Sequence, residues 1–125
     1  MATRDGRTVP LILVVEDEWL IGEYLSQTLQ DMGCQVVGPI STVAAALESL
    51  AATHPDGAIL DVRLGGETSL AVADELGRRG IPFVFATGCT DNDLPRRFAS
   101  RPLLLKPLSQ SDLRSGLQGV LEAIN

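Results

Sequence analysis

Five short apolar runs alternate with stretches of helical periodicity along this chain, and four of the runs stop at a polar residue. The runs lie in Pro10 to Val15, Cys34 to Gly38, Asp56 to Asp61, Ile81 to Ala86 and Leu103 to Leu105. All are short enough for strands, and their apolar residues follow one another rather than alternating with polar ones, as in strands buried on both faces. Between them, Ile21, Leu25, Leu29 and Met32 recur at helical spacing, as do Val43, Leu47, Leu50 and Ala51. Leu70, Ala73 and Leu76 make a third stripe, and Leu113, Leu117, Val120, Leu121 and Ile124 a last one. Asp91 to Ser100 carries Pro95 early and only Leu94 and Phe98 as a stripe, which predicts a short or irregular helix. Strands and helices in this alternation select an α/β domain with a parallel five-stranded sheet covered on both faces. Right-handed crossovers then place every strand exit on one edge.

Residues 1–9 show no periodicity and read as a mobile tail ahead of a domain spanning 10–125. Glu16, Asp17 and Glu18 are placed to cap the first helix, with acids in its first turn favoured by the helix dipole. Ser41 or Thr42 caps the second helix, and His54-Pro55-Asp56-Gly57 stops it. Leu64-Gly65-Gly66-Glu67 reads as a flexible connection into the third helix, which Arg78-Arg79-Gly80 closes. Ser109 or Ser111 caps the last helix, and Trp19 is expected to pack at the start of the first.

With 125 residues and 45% hydrophobic content the chain supports one continuous core and no second domain. No apolar run approaches the ~20 residues of a membrane span, and the N-terminus lacks the apolar centre of a secretory signal. A cytoplasmic protein with no membrane partner is expected. Cys34 and Cys89 have neither metal-ligand spacing nor the density of a disulfide scaffold, and read as packing or loop residues. A net charge of −6 argues against direct nucleic-acid binding, which needs clustered Lys and Arg.

The polar residues at the strand exits carry the chemistry. Ala58-Ile59-Leu60-Asp61 ends a buried strand in a carboxylate that packing does not require, at the edge where open α/β sheets bind ligands. The first strand ends in Glu16-Asp17, the fourth in Thr87 and the fifth in Lys106. Alone, the acid pair is a helix N-terminal feature, Lys106 a surface residue and Thr87 a turn residue. Together they aim acids, a hydroxyl and an ammonium at one spot, which suits a divalent cation and a phosphoryl group. Clustered carboxylates repel unless a cation or a proton separates them. For Mg²⁺, Asp17 and Asp61 are the expected direct ligands, Glu16 acts through a water, and the Arg63 backbone carbonyl supplies a third oxygen. Lys106 pairs with Asp61 at rest and with a phosphoryl group afterwards, and Thr87 can hydrogen-bond a phosphoryl oxygen.

The segments Val-Val-Glu16-Asp17-Glu, Ile-Leu-Asp61-Val, Ala-Thr87-Gly and Leu-Leu-Lys106-Pro together resemble the signature of the CheY-like receiver domains of two-component response regulators. The resemblance covers Pro10 to the C-terminus. It implies a flavodoxin-like doubly wound fold with five strand-helix units and sheet order 2-1-3-4-5. It implies Asp61 as phosphoacceptor from a sensor histidine kinase or a histidine phosphotransfer protein, with Mg²⁺ held by Glu16 and Asp17, Thr87 reporting the phosphoryl group and Lys106 neutralising it. Such a domain is a phosphoacceptor that assists its own phosphorylation and dephosphorylation, and is not an enzyme. Ile-Pro-Phe-Val-Phe-Ala-Thr-Gly further resembles single-domain receivers of alphaproteobacteria, expected to switch a downstream protein without an output domain of their own. Leu103 departs from the pattern, standing where receivers usually carry Tyr or Phe. The alternatives are an unphosphorylated receiver-like interaction domain and, further off, a phosphatase or flavodoxin. A phosphatase would want a second acid two residues after its nucleophile, where Arg63 stands. A flavodoxin would want a glycine- and hydroxyl-rich first loop, where Glu16-Asp17-Glu18 stands.

Overall fold

A computed structural model describes residues 2–4, 7–88 and 94–124, with side chains from residue 9 onward. Five parallel strands form its main sheet: β1 (Leu11–Val15), β2 (Gln35–Ile40), β3 (Gly57–Asp61), β4 (Phe83–Thr87) and β5 (Leu103–Leu105). Their order is β2-β1-β3-β4-β5, the doubly wound arrangement expected. Four helices cover it: α1 (Trp19–Asp31), α2 (Val43–Thr53), α3 (Leu70–Arg78) and α4 (Gln110–Ile124).

Strand periodicity divides the core in two. Leu13, Val15, Ala58, Leu60, Phe83 and Phe85 point to one face, where Ala46 and Leu50 of α2 and Val72, Ala73 and Leu76 of α3 meet them. Ile12, Val14, Ile59, Val84 and Ala86 point to the other, against Leu25 and Leu29 of α1 and Leu113, Leu117 and Val120 of α4. Both faces are buried, which is why β1, β3 and β4 read as unbroken apolar runs.

Several local expectations are corrected. The segment read as a tail contains an antiparallel two-stranded ribbon, Ala2–Arg4 with Arg7–Val9, and Val9 is buried. The connection after β3 contains a second ribbon, Arg63–Leu64 with Glu67–Thr68, turning at Gly65 with φ of +61°. The three acids precede α1 rather than entering it: Glu18 is its N-cap and its first turn is free of acid. Trp19 is not a packing residue, since it stands 72% exposed. In α2 the buried stripe runs through Ala46 and Leu50, leaving Leu47 and Ala51 at the surface. The capping alternatives resolve to Thr42, whose Oγ1 accepts from Ala45 N at 3.2 Å, and Ser109, whose Oγ accepts from Asp112 N at 3.1 Å.

Of the fourth helical segment, expected over Asp91 to Ser100, the described residues form a single 3₁₀ turn, Arg96–Phe98. Phe98 seats it by packing edge-on against Phe83 and Phe85, with ring centroids 6.3 and 5.4 Å away. Arg97 clamps it to α3 through Asp74, with two bonds of 2.8 and 2.9 Å. Cys89 and Thr90 lie outside the described residues.

β2 runs further than Gly38-Pro39 suggests. Leu13 pairs with Val37 and Val15 with Ile40, so Gly38 and Pro39 together oppose one residue in a β-bulge. The bulge sets the Ile40 carbonyl 2.9 Å from the Glu16 N–H and so fixes the exit of β1. Gly38 makes this possible with φ of +108°, and a Cβ there would lie 2.6 Å from the Val14 carbonyl oxygen and 2.8 Å from Ile40 N. Both neighbours are backbone and cannot swing away. Gly38→Ala is expected to cost about 2 kcal/mol, read as a lower urea midpoint with unchanged slope. An unchanged midpoint would mean that the bulge is not required.

Candidate acidic pocket at the strand exits

Backbone register brings the expected residues together. Val15 pairs with Leu60, which sets Glu16 beside Asp61. Asp61 pairs with Ala86, which puts Thr87 at the adjoining exit. Thr87 pairs with Leu105, and the Thr87 carbonyl accepts from Lys106 N at 2.8 Å, which fixes where the Lys106 side chain starts. Asp17, Glu18, Asp61, Arg63, Gly65, Thr87, Gly88 and Lys106 line an open cleft of about 290 Å³. A larger hollow of about 490 Å³ lies between β5 and α4, but Asp112 is its one titratable lining group, so the chemistry belongs to the smaller cleft.

Lys106 is the hub. Its Nζ lies 2.9 Å from Asp61 Oδ2, 2.9 Å from Glu16 Oε1 and 3.6 Å from Glu18 Oε1. The resting pair expected between Lys106 and Asp61 is therefore present, and Glu16 shares it. Asp61 Oδ1 also accepts from Arg63 N at 3.3 Å. Asp61, Glu16 and Thr87 are all buried, whereas Asp17, Glu18 and Arg63 are exposed around the mouth.

Burial shows in the Glu16 carboxyl. Its pKa is pushed from an ordinary 4.5 up to about 7, first by burial, with Lys106 opposing the rise and Asp61 adding to it. Burial alone would lower Lys106, but its bonds to Asp61 and Glu16 outweigh that and raise it. The pocket thus keeps its cation firmly and ionises its deepest acid reluctantly.

Oxygens of Glu16, Glu18 and Asp61 all come within 4.8 Å of one another. A set of carboxylates this close suits a hard divalent cation, which would offset the crowding of their charges. Asp17, expected as a direct ligand, lies outside this trio: its Oδ2 accepts from Gly65 N at 2.8 Å and ties the ribbon after β3 to the exit of β1. Its other oxygen is not used in that bond. Glu18, read from the sequence as a capping acid and as part of an acidic first loop that would repel a phosphate without a metal, was not among the expected ligands, yet its oxygen joins the trio. Its signal was there, since glutamate is not among the residues favoured as N-caps.

Comparison with known proteins identifies the family. A family model described as the response regulator receiver domain matches residues 12–118. The transcriptional regulatory protein PdtaR of Mycobacterium tuberculosis is 32% identical over 106 residues, covering 82% of this chain and 52% of PdtaR. The chain therefore spans about half the length of the curated relatives it matches. The solution structure of SdrG from Sphingomonas melonis Fr1 shares 44% identity, covering 93% of this chain and 96% of SdrG with a TM-score of 0.77. The response regulator PhyR from Brucella abortus shares 25% identity over 92% of this chain and 49% of PhyR, also with a TM-score of 0.77. Matched across most of its length and along the strands that build the pocket, the chain belongs to the receiver domain family of response regulators.

Proposed function

We propose that this receiver accepts a phosphoryl group on Asp61 from a phosphohistidine of a sensor kinase or phosphotransfer protein, in a Mg²⁺-dependent step, and thereby switches its contacts with a downstream protein. The observation that carries this is Lys106 Nζ at 2.9 Å from Asp61, inside an acid-lined cleft open to solvent. Glu16, Asp17, Asp61 and the Arg63 carbonyl would hold Mg²⁺, which when bound supplies positive charge to the transferring oxygens. An Asp61 oxygen attacks phosphorus in line, the O–P bond forms as the donor's P–N bond breaks, and the electron pair leaves on the imidazole. Lys106 passes from its carboxylate partners to the new phosphoryl oxygens, where its charge is worth most in the buried pocket. The Thr87 hydroxyl donates to a phosphoryl oxygen and carries the change into the segment that follows β4. The chain acts as phosphoacceptor rather than as an enzyme on a separate substrate.

Among the described residues no helix is long and apolar enough to cross a membrane. The proposal is of a cytoplasmic signalling protein that does not itself bind nucleic acid, in keeping with its net charge of −6.

Incubation with a small acyl phosphate, followed by intact mass measurement, tests this. One phosphoryl adduct is expected with Mg²⁺ and none when the cation is chelated. No adduct from the acyl phosphate or from a phosphohistidine donor would favour an interaction domain that works unphosphorylated.

A further inference from the structure

Glu18 occupies the N-cap of α1, yet its side chain caps nothing. Favoured caps are short, because the side-chain oxygen must turn back onto the first turn's N–H groups. The longer glutamate instead carries its carboxylate away from the helix to 3.6 Å from Lys106 Nζ. Its backbone N–H meanwhile donates to Glu16 Oε2 at 3.1 Å, which fixes where the side chain begins. The other acids are held more closely: Asp17 by Gly65, Glu16 and Asp61 by Lys106 at 2.9 Å each. The Glu18 side chain is 64% exposed, so it can move over the mouth while its oxygen stays within 4.8 Å of those of Glu16 and Asp61.

On the phosphoacceptor reading of this pocket, we propose that Glu18 is a cation-dependent gate over Asp61: it adds a carboxylate to the cation's ligands, and without a cation it turns anionic phosphoryl donors away. Two effects of opposite sign follow from one charge. Without a divalent cation, the Glu18 carboxylate stands beside the donor's path and competes for Lys106. With one bound, the same carboxylate is drawn to the metal and strengthens its binding. Glu18 makes and breaks no bond. With an acyl phosphate donor, an Asp61 oxygen forms the O–P bond while the donor's P–O bond breaks and its electrons leave on the donor carboxylate. Glu18 is a gating residue, and its charge rather than its nucleophilicity matters.

Glu18→Gln keeps the side chain's length and removes the charge. On the 125-residue chain, calorimetric titration with Mg²⁺ is expected to show about tenfold weaker binding in the variant. Phosphorylation rates with an acyl phosphate, followed by intact mass, are expected to converge as Mg²⁺ rises. The variant is slower than wild type at limiting Mg²⁺ and matches it at saturating Mg²⁺, where the wild-type Glu18 carboxylate is already drawn to the metal. Glu23→Gln makes the same charge change at an exposed position on α1 and is expected to alter neither measurement. Mg²⁺ affinity within twofold of wild type in Glu18→Gln overturns the proposal, as do rates that stay parallel at every Mg²⁺ concentration. If neither protein is phosphorylated while the variant still binds Mg²⁺ more weakly, the phosphoacceptor reading fails and the cation role of Glu18 stands.

Discussion

Asp61→Asn is expected to remove the phosphoryl adduct completely while leaving the fold and the Lys106 contacts of the pocket in place. The amide is nearly the same shape as the carboxylate and keeps an oxygen that can accept from Arg63 N or Lys106. It lacks the charged oxygen that attacks phosphorus. Lys106 keeps its partner Glu16 at 2.9 Å, so no buried ammonium is stranded. One negative charge fewer beside Glu16 also removes an influence that raises its pKa, and the Glu16 carboxyl is expected to titrate lower in the variant. Intact mass after acyl phosphate treatment reads the first outcome, and carboxyl titration by NMR with thermal melting reads the others. An adduct of wild-type size in the variant would place the phosphoryl group on another side chain.

The features legible in the sequence were those with a period or an exit. Apolar runs buried on both faces stand out because nothing polar interrupts them, and the residue that stops each run is by construction at an edge. That is why Glu16, Asp61, Thr87 and Lys106 could be gathered from linear spacing alone. Features set by one contact between distant segments were not legible. Gly38-Pro39 reads as a strand end, because these residues rarely continue a strand, and only the Ile40 carbonyl meeting Glu16 N shows that they form a bulge. Leu64 to Glu67 carries no strand periodicity, and its ribbon is held at a distance, by Asp17 at Gly65 and by Val43 N donating to Glu67 at 3.3 Å. Trp19 is large and apolar, which favours burial on average, yet α1 turns it to solvent and buries Leu25 and Leu29 instead. Leu103 stands 37% exposed on the edge strand. The aromatic contacts among the described residues come from Phe83, Phe85 and Phe98 in the core on the α2 and α3 side of the sheet, and Phe98 is held there by a 3₁₀ turn too short to announce itself.

Binding of Mg²⁺ is expected to weaken steeply in acid, by about 100-fold between pH 8 and pH 5. The Glu16 carboxyl, lifted from 4.5 to about 7 chiefly by burial, holds a proton over much of that range. A carboxyl that lends its charge to a cation site must first give up its proton. Below about pH 7 each ion bound therefore releases close to one proton, and affinity falls about tenfold per pH unit. Calorimetry in two buffers of different ionisation enthalpy would count that proton directly. The same group sets a pH dependence of stability, and its sign follows from the direction of the shift. A pKa raised in the folded chain means that the folded state binds the proton more tightly than the unfolded one. Its stabilising contribution is fully present below about pH 4.5 and is lost as pH rises through about 7. Metal-free protein should thus lose urea resistance from this group between pH 5 and pH 8. In saturating Mg²⁺ the trend should reverse, because the cation binds the deprotonated folded state most strongly. A proton count of zero, with Mg²⁺ affinity flat across this range, would show that Glu16 is already ionised and that Lys106 outweighs its burial.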